Sequence, residues 1–515
     1  MMVPFSNQTF IDFSNPENVK KQKDALAKVE NELGREYPNI IGGKDIFSEK
    51  KTKSINPANP EQVVGIFQKS GADQAERAIN TAYETFKWWR NFPPQERAEF
   101  LFKAAEYVRK HRYEINAWMI KEVGKNYAEA DGDVSEGVDF FEYYGREMLR
   151  YMRGADIPSL PGEFSEYGYI PLGVGVIIPP WNFPFSIMAG MSAAAIVTGN
   201  TVVLKPSSES PMMAYIFARI MQKVGLPDGV LNLLVASGSE TGDFVVDHPK
   251  TRFISFTGSV DVGKRIYERA AIVHPGQIWL KRVIAEMGGK DTLIIDSEAP
   301  CLDEAVNITV SSAYGFQGQK CSACSRVVVD DKIYDEFLEK LIKATEALPI
   351  GEPTENYRIG PVVSASAEKT ILEYIEIAKK EGKIVVGGNK LDRPGYFIQP
   401  TIVTDVAPDS RISQEEIFGP VLAVLRAKDF DDALAIANNT QYGLTGGVCT
   451  VNREKIIKAK RDFHVGNLYF NRKITGAMVG SHPFGGFNMS GTDSKTGSPD
   501  YLLLYMQGKA ISELV

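Results

Sequence analysis

The stretch "GVGVIIPPWNFPFSIMAGMSAAAIVTGNTVVLKP", residues 173–206, decides the fold. It opens with a short β-branched run, breaks at Pro179 and Pro180, continues as a helical segment from Ser186, turns at Gly199 and Asn200, and ends in a second β-branched run. Strand, helix and strand in that order indicate a parallel α/β sheet. Working outward, the runs "LNLLV", "FISFTG" and "TLIID" alternate with helical segments such as "SPMMAYIFARIMQKVG". A second alternating set runs from "EAVNITVSSAYGFQG" through "SRVVVDD", "KIVVGG", "YFIQPTIVTDV", "VLAVLRA" and "GGVCTV" to "GNLYFN". Two α/β domains are the economical reading. Upstream, apolar residues at three and four spacing predict helices from Ala72 to about Arg150. Residues 17–34 read as a charged surface helix, and residues 56–70 as turns leading into a strand.

The bulk properties narrow the function classes. The 515 residues are 43% hydrophobic and 24% charged, the balance of a globular protein with a substantial core. Net charge is −7, so nothing calls for nucleic acid or another polyanion. The N-terminus lacks the basic and apolar regions of a secretory signal. The apolar stretch "GYIPLGVGVIIPPWNFPF" is broken by glycines, prolines and an asparagine, short of the roughly 18 uninterrupted residues that cross a bilayer. Four cysteines cannot form a disulfide framework in a chain this long, which fits a reducing compartment. A cytoplasmic location is expected, or an organelle matrix if the source is eukaryotic, and the Asn-x-Thr at Asn7 is then an accident.

Two cysteines lie in "GQKCSACSR", residues 318–326, at a C-x-x-C spacing. A zinc site normally needs four ligands at close spacing, and neither the remaining cysteines nor the five histidines are paired, so no metal is expected. Redox pairs of this spacing usually open a helix, whereas these residues follow one and precede the strand-like "SRVVVDD". Cys301 and Cys449 read as plain buried cysteines. Cys321 sits in an irregular turn with Gly315, Gly318 and Gln319, which points to a lone nucleophile whose partners lie elsewhere. Three stretches can supply them. "PPWNFPFS" fixes Asn182, whose amide can donate to a developing oxyanion. "AEMGGK" carries Glu286 before two glycines, and "QEEIFGPV" sets two carboxylates before a Gly-Pro turn.

At these residues the chain resembles the aldehyde dehydrogenase superfamily. The resemblance runs from about residue 50 onward, with P-W-N-F-P at 180–184, K-P-S at 205–207, F-T-G-S-x-x-x-G at 256–263, E-x-G-G-K at 286–290, G-Q-x-C-x-A-x-S-R at 318–326, E-I-F-G-P at 416–420 and P-F-G-G-x-x-x-S-G at 483–491. It implies an α/β fold with a Rossmann-like cofactor domain, an α/β catalytic domain and a small β oligomerisation element. The expected bounds are an N-terminal arm at 1–50, an NAD-binding domain at 51–150 and 168–287, a catalytic domain at 288–475, and an oligomerisation element at 151–167 and 488–515. Carried over residue by residue, Cys321 is the nucleophile, Asn182 and the Cys321 N–H form the oxyanion hole, and Glu286 is the general base. Cys324 falls on a position without a catalytic role. Lys205 and Glu416 match the residues that hold the ribose hydroxyls, and Phe418 packs near the nicotinamide ribose. Ser259, at a helix start, would meet the pyrophosphate, while Trp181, Gly238 and Gly242 match the adenosine and phosphate surroundings. NAD is the expected cofactor, with NADP tolerated, because Ser208 stands where NAD-specific members often carry a glutamate that repels a 2′-phosphate.

Within the superfamily, "TGAMVGSHPFGGFNMSGTDSKTGSPDYLLLY" resembles the branch that oxidises L-glutamate γ-semialdehyde to glutamate in proline and arginine breakdown. That resemblance assigns the substrate's α-carboxylate to Ser322 and the N–H groups of Gly476 and Ala477. Phe183 and Phe484 would sandwich the aliphatic stem, and Glu136 would face the ammonium group. A homo-oligomer, at least a dimer, is implied, with no nucleic-acid or membrane partner. Two competing expectations stand beside this one. A basic Arg472 or Lys473 near the pocket would favour another ω-semialdehyde, such as succinate semialdehyde. The second, from a different class, is a thiol redox protein or a catalytically silent relative.

Overall fold

The computed structural model describes residues 4–236 and 238–515. Strands Val174–Ile178 and Thr201–Leu204 pair in parallel, with Ile177 opposite Leu204, and helix Ser186–Val197 connects them. Every residue of that helix except Ile187 is buried, which its glycine, alanine and serine content permits by letting neighbours approach closely. These strands are the centre of a seven-stranded sheet in the order Arg282–Glu286, Thr251–Thr257, Val174–Ile178, Thr201–Leu204, Leu231–Leu233, Asn39–Ile41, Lys44–Ile46. The first five strands are parallel, and the last two extend the sheet in antiparallel fashion. Residues 39–46 belong to the segment read as an N-terminal arm, yet they are strands of this sheet.

A second seven-stranded sheet runs Lys383–Val386, Thr401–Thr404, Val421–Ala427, Cys324–Asp330, Asp291–Ile295, Thr445–Cys449, Asn467–Phe470. Only its first strand is antiparallel. A two-stranded antiparallel ribbon pairs Glu163–Pro171 with the C-terminal Met506–Leu514, whose residues beyond Met506 are exposed. Helices Ala72–Trp89, Pro94–Lys110, Arg112–Val123 and Tyr127–Tyr151 fill the interval read as helical. The last of these buries Val134, Val138 and Phe141 in the large core beside the first sheet. Among the described residues, no helix is long and apolar enough to cross a membrane.

Candidate active site

The predicted residues of the first sheet gather at the carboxyl ends of its strands. Asn182 follows Val174–Ile178, Lys205 follows Thr201–Leu204, Ser259 follows Thr251–Thr257, and Glu286 is the last residue of Arg282–Glu286. In strand order, Val174–Ile178 lies beside Thr251–Thr257, and the connections depart from this pair in opposite directions. That is the topological switch point, where open α/β sheets leave a crevice for a ligand. Ser259 opens helix Val260–Ala270 without bonding its own helix, so the first N–H groups stay free for an anion. Gly238 and Gly242 bound a single helical turn where an added Cβ would meet nothing within 4 Å, and Ser208 is exposed. Burial pulls the Lys205 amine down to about 8.

Cys321 is delivered by an unusual turn. Helix Leu302–Tyr314 ends, and Phe316 (φ 48°), Gln317 (φ 57°) and Gly318 (φ 69°) follow one another in the left-handed region. That conformation costs a non-glycine residue roughly 1–2 kcal/mol, so the surroundings must impose it. Gln317 Nε2 donates to the Pro361 carbonyl at 2.8 Å, Gln319 Oε1 accepts from Val363 N–H at 2.9 Å, and Asn182 Nδ2 donates to the Gln319 carbonyl at 3.1 Å. Gly318 has no alternative: a Cβ there would lie 2.3 Å from the Gly419 carbonyl oxygen. Asn182 is therefore buried against the turn that precedes Cys321, with one amide proton spent on Gln319 and the other available to a further acceptor.

The charges around the nucleophile are unbalanced. Burial, then Asp291, Glu416 and Glu286, push the Cys321 thiol well above its usual range. Burial lifts Glu286 to about 8, opposed by the Ser494 hydroxyl and by Lys495. The Ser494 hydroxyl donates to Glu286 Oε1, and Oε2 is buried with no partner. An acid poised near neutrality with a free oxygen beside a thiol is suited to proton abstraction. Glu416 is lifted by burial to about 7 and accepts from Gly289 N–H at 3.0 Å. A Cβ on Gly288 would lie 2.0 Å from a Glu416 carboxylate oxygen, so the Gly-Gly pair is the seat of that carboxylate. Phe418, at φ 56°, sets its ring edge-on to Trp181 at 5.5 Å.

A cavity of about 510 Å³ opens beside Cys321 and Glu286. Its wall also carries Glu136, Phe183, Ser322, Gly476, Ala477 and Phe484, all six residues expected to hold the substrate. Asn182 and the residues expected at the cofactor are not part of this wall.

Residues 46–511 match the Aldehyde dehydrogenase family. The chain belongs to that family. This aldehyde dehydrogenase is 56% identical over 515 residues to the 1-pyrroline-5-carboxylate dehydrogenase of Geobacillus sp. (strain WCH70), with both chains covered in full. Among solved structures, it superposes on 1-pyrroline-5-carboxylate dehydrogenase from Thermus with bound NAD at a TM-score of 0.99, with 48% identity and full coverage of both chains. Proline utilization A from Bdellovibrio bacteriovorus matches 99% of this chain with 53% of its own, at 44% identity and a TM-score of 0.97.

Several residues of this dehydrogenase's cavity escaped the sequence reading. Helix Tyr127–Tyr151 points the carboxylates of Glu129, Asp131, Asp133, Glu136 and Asp139 at the cavity. Glu129 pairs with Lys320 at 2.6 Å, Asp131 with Arg112 at 2.5 Å, and Asp133 with fully buried Lys125 at 2.8 Å. Asp139 accepts from Asn7 and Gln8. Glu136 alone of the five has no cationic or amide donor from the protein among these contacts, and burial lifts it to about 7. Lys125 also lies 4.1 Å over the Phe183 ring and 4.9 Å from Phe316, tying the substrate wall to the left-handed turn. Arg472 and Lys473 do line the cavity. The Arg472 guanidinium is engaged by the Lys473 and Gly476 carbonyls and by His482, and burial with nearby Lys320 draws the Lys473 amine down. One expectation is corrected: Cys301 is exposed, because it is the extended residue that precedes helix Leu302–Tyr314 at the surface. Cys449 and Cys324 are buried, and the Cys324 thiol donates to the Arg326 carbonyl at 3.2 Å, away from the cavity.

Proposed function

We propose that this enzyme oxidises L-glutamate γ-semialdehyde, the open form of 1-pyrroline-5-carboxylate, to L-glutamate in proline and arginine breakdown. The observation that carries the reading is Glu136: a half-buried carboxylate with no ion pair of its own, facing only the Ser186 hydroxyl and the Lys125 charge already paired with Asp133, on a wall where its four neighbours are paired. A substrate ammonium completes that pairing, and a dicarbonyl chain such as succinate semialdehyde offers nothing for it. Gly476, Ala477 and Ser322 line the same cavity and supply N–H and hydroxyl donors of the kind an α-carboxylate takes.

The residues work in two halves. Cys321 gives up its thiol proton to solvent water and attacks the aldehyde carbon as thiolate, and Asn182 with the Cys321 N–H stabilises the tetrahedral oxyanion. NAD, when bound, supplies the hydride acceptor that takes this adduct to a thioester. Glu286 removes a proton from water, which hydrolyses the thioester and releases Cys321. The switch-point crevice fits that cofactor: Ser259 and the Gly238–Gly242 turn present uncapped N–H groups and open space to a pyrophosphate, and Lys205 and Glu416 are placed for ribose hydroxyls. With Ser208 in place of a carboxylate, NADP is tolerated more weakly. The ribbon of Glu163–Pro171 and Met506–Leu514, with Leu514 83% exposed, is placed to dock on a second copy, giving at least a dimer, in the cytoplasm.

The test is a panel of glutamate γ-semialdehyde, succinate semialdehyde and propanal with NAD and with NADP, following nicotinamide reduction. The expected result is a large preference in kcat/KM for glutamate γ-semialdehyde with NAD. A larger value for succinate semialdehyde would overturn the substrate assignment.

A further inference from the structure

The N-terminal strap, residues 4–14, lies outside the matched family region 46–511, yet Phe10 and Ile11 are part of the cavity wall. Its attachments are specific. Asn7 Nδ2 donates to Asp139 Oδ2 at 2.9 Å and to the Val479 carbonyl at 3.0 Å. Gln8 N–H donates to Asp139 Oδ1 at 2.6 Å, Ile11 N–H donates to Asp131 Oδ2 at 2.8 Å, and Arg112 donates to the Thr9 carbonyl at 2.9 Å. Phe5 packs edge-on against Tyr143 at 5.1 Å.

The two acceptors of Asn7 belong to different elements of the cavity wall. Asp139 is three residues past Glu136 on the same helix, so the two side chains share a face. Val479 is two residues past Ala477 in the loop that faces the α-carboxylate. We propose that Asn7 is a positioning residue that fixes the distance between the ammonium site at Glu136 and the carboxylate site at Gly476 and Ala477, and thereby sets selectivity for a semialdehyde with an α-amino acid head group. Both groups of that head sit on one carbon, so the two sites must be held at a fixed separation to engage it together. The helix and the loop come from segments more than 300 residues apart, and the Asn7 carboxamide bonds both. The Asn7 and Gln8 donors favour the ionised form of Asp139 but occupy both of its oxygens, which would otherwise compete with Glu136 for the substrate cation.

This inference rests on the head-group reading above, and the experiment separates the two. Asn7→Ala and the isosteric Asn7→Asp, which loses the donors and places a carboxylate against Asp139, are assayed with glutamate γ-semialdehyde and with propanal, which has no head group. Asn7→Ala is expected to raise KM for the semialdehyde about tenfold with kcat within twofold, and Asn7→Asp to raise it further. Oxidation of propanal should be unchanged in both, which also reports that the variants fold. Equal losses with both substrates, or no change in KM for the semialdehyde, would overturn the role of Asn7. Glu136→Gln is run in parallel: if it too leaves KM for the semialdehyde unchanged, the head-group assignment itself falls, whereas a failure of the Asn7 variants alone overturns only the staple.

Discussion

The two ends of the cavity are built on opposite plans. At the reacting end, Cys321, Glu286 and Asn182 each sit on a loop or strand end, and the charges are left unsatisfied: a thiol among carboxyls, a buried acid with one free oxygen. At the head-group end the scaffold is one long helix, and nearly every charge is paired, so that Glu136 stands out by what its neighbours have and it lacks. The contrast teaches that reactivity here comes from withholding partners from a few groups, and recognition from supplying partners to all groups but one.

The largest effect that sharpens this comparison falls on the nucleophile. Cys321→Ser is expected to lower steady-state turnover by at least about 10³-fold, whereas Cys324→Ser should stay within about twofold, because that thiol bonds a strand carbonyl inside the core. The reverse ranking would make the C-x-x-C a functional pair and break the single-nucleophile reading. Next comes the base. Glu286→Gln should reduce steady-state turnover roughly 10²–10³-fold while preserving a first-turnover burst of reduced cofactor, because only hydrolysis of the thioester needs the base. In the parent enzyme the base works when ionised, so the hydrolytic step should climb with pH up to about 8 and fall about tenfold per unit below it. A hydrolytic rate flat from pH 6 to 8 would place the base elsewhere. The smallest effect belongs to Ser494. Its hydroxyl stabilises the ionised form of Glu286, so Ser494→Ala should move the acid limb of the hydrolytic pH profile toward alkali, leaving turnover at neutral pH lower by severalfold and the burst intact. A limb that stays in place would reduce Ser494 to packing.

Local marks in the sequence flag the surroundings of Cys321, Glu286 and Asn182, each weak alone and telling only together, while the roles expected of the three rest on the family resemblance. Gly318 and Gln319 flag the turn before Cys321, Gly288 and Gly289 flag the carboxylate seat after Glu286, and the prolines around Asn182 flag its rigid loop. The strand alternation likewise announced both α/β sheets. The head-group end was much less legible, since its meaning lies in pairings across long intervals: Lys320 with Glu129, Asn7 with Asp139 and Val479. In isolation, each of those residues is an ordinary surface polar side chain. Asn7 is the clearest case: the sequence marks it only by a fortuitous Asn-x-Thr, and its bonds to Asp139 and Val479 appear only in the fold. Cys301 was misjudged for a related reason, because burial of a cysteine at a helix entrance depends on what the rest of the chain lays over it.

The left-handed turn at Phe316 and Gln317 has one more consequence. Its three restraints come from both sides of the crevice: Pro361 and Val363 from the side of the second sheet, Asn182 from the first. The nucleophile's address is thus written jointly by two bodies of the protein, and a small parting of them would let the turn relax toward an unstrained path. The aim of the thiol therefore depends on how the two sheets are held together as well as on the residues of its own turn.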